Sequence, residues 1–403
     1  MLIKATAYQL GGASISKLLG FFITAFLYRL YTLDEIGKYY LLVNVLGIFI
    51  ALQQIGSEKP LINYNIKKNK KEEYAIIKTK FLVSLVLSPI FFLICFNLFE
   101  SANLFVASSM SLIFIINSMN FDYILIAKNK FLQHSLITTF VQFIVFLFFG
   151  LSLYFDLKPN IIFHQIIPTS MLQVIFFIVI LSIIKINFKK LFFSKIVSID
   201  YFRNNQIIIL NYIFIALITG VDLFLAKNIL NENQLGIIAG LYQYNLISFG
   251  FLIIVSKILY SYAINTSNSK RFKSSSKFLI RLYTFISVLG LVILLYPYLK
   301  YIMNLEEINF IIIPGIIITF TSILMPTFFL EINKVETCDR KLSFKPLLTF
   351  IISILLIYYC GGSFFANTFS DTALYHFLSF MFLLKWILLN LGINYIRKKY
   401  NIN

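Results

Sequence analysis

Long apolar stretches recur along the whole chain, and they limit what it can fold into. A helix needs about 20 predominantly apolar residues to cross a hydrocarbon core of about 30 Å. Only 13% of the 403 residues are charged and 59% are hydrophobic, whereas a soluble globular protein has about 25% charged residues. The pattern therefore predicts an integral membrane protein. It excludes soluble enzymes, secreted disulfide scaffolds and nucleic-acid binders.

We expect an all-α fold with about twelve transmembrane helices, because the stretches lack the period-two alternation of barrel strands. The first stretch is long and has no convincing cleavage site, so it predicts a membrane helix and not a cleaved signal peptide. The predicted spans are residues 6–30, 37–57, 78–98, 102–127, 132–155, 160–185, 204–228, 235–263, 276–299, 307–331, 344–365 and 371–396.

The distribution of the 35 Lys and Arg residues indicates the orientation. Cytoplasmic connections hold the basic residues of a membrane protein. With the N-terminus inside, most of these residues fall in inner connections, and few lie at outer ends or within helices. We therefore expect both termini in the cytoplasm. The net charge of +18 is then a topology signal that also attracts anionic membrane lipids, and no nucleic-acid partner is expected.

Two segments of the chain look related to each other. In each, a basic residue ends one helix, a short polar turn follows, and a glycine opens the next helix. The matched pairs are Arg29 with Lys227, Gly37 with Gly236 and Asn44 with Gln243. Such a repeat is typical of two-bundle transporters that bind substrate between their halves.

The repeat divides the chain into two predicted six-helix bundles. The predicted domains are an N-terminal bundle of residues 1–190, a basic cytoplasmic linker of residues 191–203 and a C-terminal bundle of residues 204–403.

Polar residues inside the predicted helices are candidates to line a hydrated cavity, because a charge at the helix centre costs about 2.5–3.5 kcal/mol on insertion scales. Lys17, Lys257 and Arg29 are the candidate cations for an anionic substrate. The candidate polar lining is Gln9, Asn44, Gln54 and Gln243.

The alternative is helix packing, in which small and polar residues stabilise helix contacts. Packing gives no reason to place Lys17 in mid-membrane. Lys257 could instead extend to the lipid headgroups, and Arg29 could cap a helix C-terminus or bind headgroups.

Two carboxylates, Asp122 and Asp222, are candidates for ion coupling or for structural ion pairs. The three histidines lie on separate predicted helices without shared spacing, so no metal site is expected. No phosphate-binding or dinucleotide-binding motif occurs, so no cofactor is expected either.

These segments resemble those of a known family. Residues 33–40, Leu-Asp-Glu-Ile-Gly-Lys-Tyr-Tyr, resemble the start of bacterial O-antigen and polysaccharide repeat-unit flippases of the multidrug/oligosaccharidyl-lipid/polysaccharide (MOP) superfamily. Residues 221–227, Val-Asp-Leu-Phe-Leu-Ala-Lys, are similar to the seventh-helix signature of that family. The sequence departs from the signature at Leu223, where many relatives have Arg.

The resemblance implies a transporter of the bacterial inner membrane with no catalytic residues. Its substrate would be an undecaprenyl-pyrophosphate-linked oligosaccharide, moved from the cytoplasmic to the periplasmic leaflet. A polysaccharide polymerase and a chain-length regulator are the implied protein partners. Two alternatives stay open: a membrane O-antigen polymerase or glycosyltransferase, and a small-molecule antiporter of the same superfamily.

Overall fold

The protein is described from a computed structural model. The structure describes residues 2–98, 104–128, 130–184, 191, 193–203, 205, 209, 222–223, 226–245, 281, 284–285, 292–306, 308–336, 349, 352–353, 356–357, 360–361, 364 and 371–400.

Regular structure in the described residues is helical. It includes the helical residues 232–245 and a short π-helix at Tyr298–Ile302. The helices with complete bounds are α1 (Leu2–Leu30), α2 (Leu33–Gln54), α3 (Glu58–Ile66), α4 (Lys70–Leu98), α5 (Leu104–Asn117), α6 (Asp122–Ala127), α7 (Phe131–Tyr154), α8 (Phe163–Ile184), α9 (Asn309–Glu336) and α10 (Asp371–Lys399).

Several helices are long and apolar enough to cross a membrane. Within the described residues there are five such spans, and each coincides with a predicted one. They are Leu33–Gln54, Lys70–Leu98, Leu104–Ala127, Phe131–Tyr154 and Ala373–Lys399. The predicted spans 204–228, 235–263 and 344–365 fall largely outside the described residues.

One predicted span is not a continuous helix. The helix expected over residues 102–127 is interrupted between α5 and α6 by a turn at residues 118–121. The side chain of Ser118 donates a hydrogen bond to the carbonyl of Ile115 (2.7 Å), and Asn120 Oδ1 accepts one from the Asp122 amide (3.0 Å). Short polar side chains compete in this way with the helical backbone, and hydropathy alone does not detect it.

The chain divides into two compact units. Unit 1 comprises Met1–Tyr31, Leu41–Gly220 and Lys257–Ser267, and unit 2 comprises Thr32–Tyr40, Val221–Ser256 and Asn268–Asn403. The domain boundaries predicted at residues 190 and 204 lie on residues outside the described part and stay a prediction.

Unit 1 contains an aromatic core where α2, α4 and α5 meet. Phe49, Phe91 and Phe114 form a triangle with ring centroids 4.9–5.9 Å apart, a spacing that favours aromatic pairs. Helix α1 packs against α7: Thr139 Oγ1 donates a hydrogen bond to the Gly12 carbonyl (3.0 Å), and Phe26 contacts Phe146. These contacts fix which side of α1 faces its neighbour.

Unit 2 contains a helix pair with polar contacts. Helices α9 and α10 pack along each other, and Thr327 Oγ1 donates a hydrogen bond to Asn390 Oδ1 (2.8 Å). The residues 232–245 contribute Asn245, which donates hydrogen bonds to the Ile318 carbonyl (3.1 Å) and to Thr321 Oγ1 (2.5 Å). Polar side chains therefore join these helices, as is common inside membranes.

Candidate functional site

Lys17 lies near the middle of α1, away from the side of the helix that is exposed. Successive helical residues turn by about 100°, so Ile15, Leu18 and Phe22 share one side, and they are 53%, 59% and 49% exposed. Lys17 lies on the opposite side, in line with Tyr28, which is 6% exposed. Lys17 therefore lies on the side of α1 away from these exposed apolar residues.

The ammonium of Lys17 is a cation with no ionic partner in the described part of the chain. The residue is partly buried, and none of the described residues forms an ion pair or hydrogen bond with it. A buried structural lysine is normally paired with a carboxylate. Lys17 therefore stays the candidate cation for an anionic ligand that the sequence predicts.

The other predicted residues of unit 1 have mixed surroundings. Asn44 and Gln54 are partly exposed on α2, and Gln54 Oε1 accepts a hydrogen bond from Ser57 Oγ (3.3 Å). Arg29 is exposed in the last turn of α1, where a cation stabilises a helix C-terminus. Gln9 lies in α1, but its side chain is outside the described part.

In unit 2, Asp222 forms a buried ion pair with Lys385. The two residues are 3% exposed, and Lys385 Nζ lies 4.1 Å from the ring centroid of Phe382. The sequence offered no polar stripe around Lys385, so this pairing was missed. Asp222 thus has the structural partner that was one of its two predicted roles, and ion coupling at this residue stays a prediction.

The remaining predicted residues are placed as follows. Gln243 is partly exposed within the helical residues 232–245. Asp122 opens α6, and its Oδ2 lies 3.8 Å from His134 Nε2. Lys257 lies outside the described residues, so its predicted role in the site stays a prediction.

Two turns have the same local structure, as the sequence repeat predicts. The Thr32 amide donates a hydrogen bond to Glu35 Oε2 (2.9 Å), and the Asn231 amide donates one to Gln234 Oε1 (3.0 Å). In both turns the later residue's amide donates back to the earlier side chain. Each turn is a capping box. The patterns Thr-x-x-Glu and Asn-x-x-Gln are legible in the sequence and could have been found there.

The two turns contact each other within unit 2. A Cβ atom added to Gly37 would lie 2.9 Å from the backbone nitrogen of Gly236, so the backbones approach more closely than a side chain allows. Lys38 Nζ lies 2.9 Å from Glu232 Oε1 and 3.2 Å from Asp34 Oδ1. Hydrogen bonding with Asp34 and with Lys38 lowers the pKa of Glu232. Each turn therefore supplies charge to one shared cluster.

A second buried polar cluster lies in unit 1. Glu73, 1% exposed, accepts hydrogen bonds from Asn65 Nδ2 (2.9 Å), Tyr123 OH (2.8 Å) and Lys70 Nζ (2.6 Å). These bonds join α3, α4 and α6, which satisfies the rule that a buried carboxylate is hydrogen-bonded. Lys80 lies within α4 and is 2% exposed. Helix packing as well as membrane topology therefore determines where this charged side chain lies.

Solved structures with the same fold are transporters. A MATE protein in complex with MaL6 matches with a TM-score of 0.66 at 10% identity, over 99% of this chain and 96% of the other. An outward-facing multidrug resistance MATE family transporter of the MOP superfamily matches with a TM-score of 0.66 at 12% identity, over 99% of this chain and 95% of the other. A MOP superfamily transporter from Pyrococcus furiosus matches with a TM-score of 0.63 at 11% identity, over 99% of this chain and 95% of the other. Its binding pocket is described as having reverse polarity, which suggests a different function for that protein.

No family model and no curated protein matches the sequence. At these identities the likeness concerns the fold. The chain is an all-helical, multi-pass membrane protein. Its fold is that of the MATE transporters of the MOP superfamily, which is the two-bundle architecture that the sequence predicted.

Proposed function

We propose that the protein is a transporter that flips an oligosaccharide linked to undecaprenyl pyrophosphate from the cytoplasmic to the periplasmic leaflet. The observation that carries the proposal is Lys17: a partly buried cation in mid-helix, on the side of α1 away from the exposed apolar residues, with no ionic partner in the described part of the chain.

Each chemical part of this substrate needs a different environment in the transporter. A pyrophosphate loses its hydration in hydrocarbon at high cost, and an ammonium in a site of low dielectric compensates for that loss. Sugar hydroxyls need hydrogen-bonding groups, and in unit 1 the partly exposed Asn44 and Gln54 of α2 are the candidates. The polyprenyl chain can stay in lipid. Alternating access of the transporter fold would then carry the head group across.

The charge of the buried groups also supports an anionic cargo. Lys385 already neutralises Asp222 in unit 2, whereas Lys17 has no such counter-ion in the described residues. The Pyrococcus furiosus transporter offers a precedent, since reverse pocket polarity suggests a different function for it. A polysaccharide polymerase and a chain-length regulator would be the partners of a repeat-unit flippase.

A small-molecule antiporter is the second candidate, because several structures with this fold are MATE proteins, one of them a multidrug resistance transporter. A cationic drug would favour a carboxylate that is open to it. A membrane glycosyltransferase is less favoured, since the transporter fold covers 99% of the chain.

The test is transport by purified protein in liposomes. One assay follows a fluorescent polyprenyl-pyrophosphate disaccharide as it becomes accessible to a reagent on the opposite side, and a parallel assay follows ethidium. We expect Lys17→Ala to abolish transport of the pyrophosphate probe, and Lys17→Arg to retain part of it, because guanidinium keeps the charge with a different geometry.

The matched control is Leu18→Ala, one residue away on the exposed side of α1. It should transport like the wild type. Normal flipping by Lys17→Ala would remove Lys17 from the site. Ethidium transport without transport of the pyrophosphate probe would favour the antiporter.

A further inference from the structure

The segment between the predicted bundles carries a row of exposed apolar side chains at intervals of three residues. Phe193, Ile196, Ile199 and Phe202 are 79%, 56%, 85% and 38% exposed. They lie outside the predicted spans 160–185 and 204–228, so a position within the hydrocarbon core does not account for them. We call these four residues the linker row.

The opposite side of the same segment is anchored to α4. Lys78 Nζ donates a hydrogen bond to the Ser194 carbonyl (2.7 Å), and the Val197 amide donates one to Thr79 Oγ1 (3.1 Å). Tyr201 is 6% exposed, and its burial raises the pKa of its phenol. The segment is therefore held in one orientation, with the linker row pointing outward.

Basic residues flank the linker row. Lys195 and Arg203 are exposed beside it, and Asp200 is the single acidic residue among residues 185–203. The sequence of the same segment also contains Lys185, Lys189 and Lys190, which lie outside the described residues. An outward apolar row with a basic border matches the composition of segments that lie in the plane of a membrane surface.

The segment joins regions that the sequence predicts to be in the membrane at both ends. Helix α8 precedes it, and a predicted span begins at residue 204. A bilayer surface is therefore within reach of the linker row, whereas a soluble partner would need to approach the same surface. Cytoplasmic leaflets are anionic and attract basic residues next to membrane helices.

We propose that the linker row docks onto the anionic lipid surface of the cytoplasmic leaflet. Its four apolar side chains insert at the boundary between headgroups and acyl chains, and Lys195 and Arg203 bind lipid phosphates. The docking does not depend on what the protein transports.

The experiment measures membrane depth with spin labels on the full chain in lipid nanodiscs. Labels are placed by Phe193→Cys and Ile199→Cys in a background with Cys338→Ser and Cys360→Ser; the remaining cysteine, Cys95, is buried. Power saturation with oxygen and with an aqueous nickel complex reports immersion. Lys71→Cys, exposed at the start of α4, is the control in water, and Leu147→Cys, exposed on α7, is the control in lipid.

We expect labels at 193 and 199 to lie between the two controls in depth, with a several-fold loss of collisions with nickel relative to the Lys71 label. The loss should be larger in nanodiscs rich in phosphatidylglycerol than in pure phosphatidylcholine. The double variant Lys195→Gln/Arg203→Gln should remove that difference between lipids.

Two results would overturn the proposal. Labels at 193 and 199 that collide with nickel as often as the Lys71 label would show that the linker row faces water, where a protein partner would be its occupant. Equal immersion in both lipid compositions would show that the surface does not select anionic lipid.

Discussion

Replacing Gly236 with alanine tests the contact between the two matched turns. The added Cβ would lie 2.8 Å from the carbonyl carbon of Leu33 and 3.1 Å from its Cα, and it would lie closer still to the carbonyl oxygen. Ordinary van der Waals contact begins at about 3.4 Å. The obstructing atoms are backbone, so no side chain can rotate away, and the turn at residues 32–37 must shift.

The expected cost follows from measured overpacking. Forcing extra carbon atoms into a packed site costs about 1–3 kcal/mol. At about 2 °C per kcal/mol, the lower end of the range for domains of 150–250 residues, the midpoint of thermal unfolding should fall by about 2–6 °C. The shift should also separate Lys38 from Glu232, which lie 2.9 Å apart across the same contact.

The assay is thermal unfolding of the detergent-solubilised protein, with Gly47→Ala as the matched control. Gly47 lies in α2, and an added Cβ there would meet nothing within 4 Å. Because alanine favours a helix over glycine by up to about 1 kcal/mol, this variant should be at least as stable as the wild type. If Gly236→Ala and Gly47→Ala unfold at the same temperature, the reasoning from close backbone approach is wrong.

Three further single variants, one of them also with a compensating second substitution, test other contacts within unit 2 by unfolding of the detergent-solubilised protein. Lys385→Met should lower the free energy of unfolding by about 3–5 kcal/mol, since Asp222 loses a buried counter-ion. Adding Asp222→Leu to this variant should restore most of the lost stability. A Lys385→Met variant as stable as the wild type would contradict the ion pair. Lys38→Met should cost no more than about 1 kcal/mol, because its partner Glu232 is half exposed; a loss as large as that of Lys385→Met would be inconsistent with a surface pair. Asn231→Ala should cost about 0.5–2 kcal/mol through loss of the cap, and no change would argue against the capping box.

The sequence predicts the fold class and most described helices because hydropathy over about 20 residues is a strong signal. It does not predict the break at 118–121, since that break depends on hydrogen bonds of Ser118 and Asn120 with neighbouring backbone. The repeat predicts which turns match, and the capping boxes have the same geometry in both.

The ionic partners were harder to predict, for a physical reason. Asp222 and Lys385 are far apart in sequence and meet only because α10 packs within unit 2. Lys80 is a charged residue at the edge of an apolar stretch, and nothing in its local sequence indicates that it is 2% exposed within α4. Tertiary pairing of this kind leaves no periodic signal in one sequence.

Comparing the two copies of the repeat distinguishes residues that the fold needs from residues that substrate binding needs. Gly37 and Gly236 are both required to be glycine because an added Cβ would meet the backbone of the other turn, that of Gly236 at Gly37 and that of Leu33 at Gly236. Charge is not repeated in this way: the position in the second copy that corresponds to Lys17 falls at the apolar residues Ile215 and Ala216. The helix predicted over residues 204–228 therefore has no cation at that point. Substitution of Lys17 should accordingly reduce transport while leaving thermal stability close to that of the wild type, which distinguishes a cargo-binding role from a structural one.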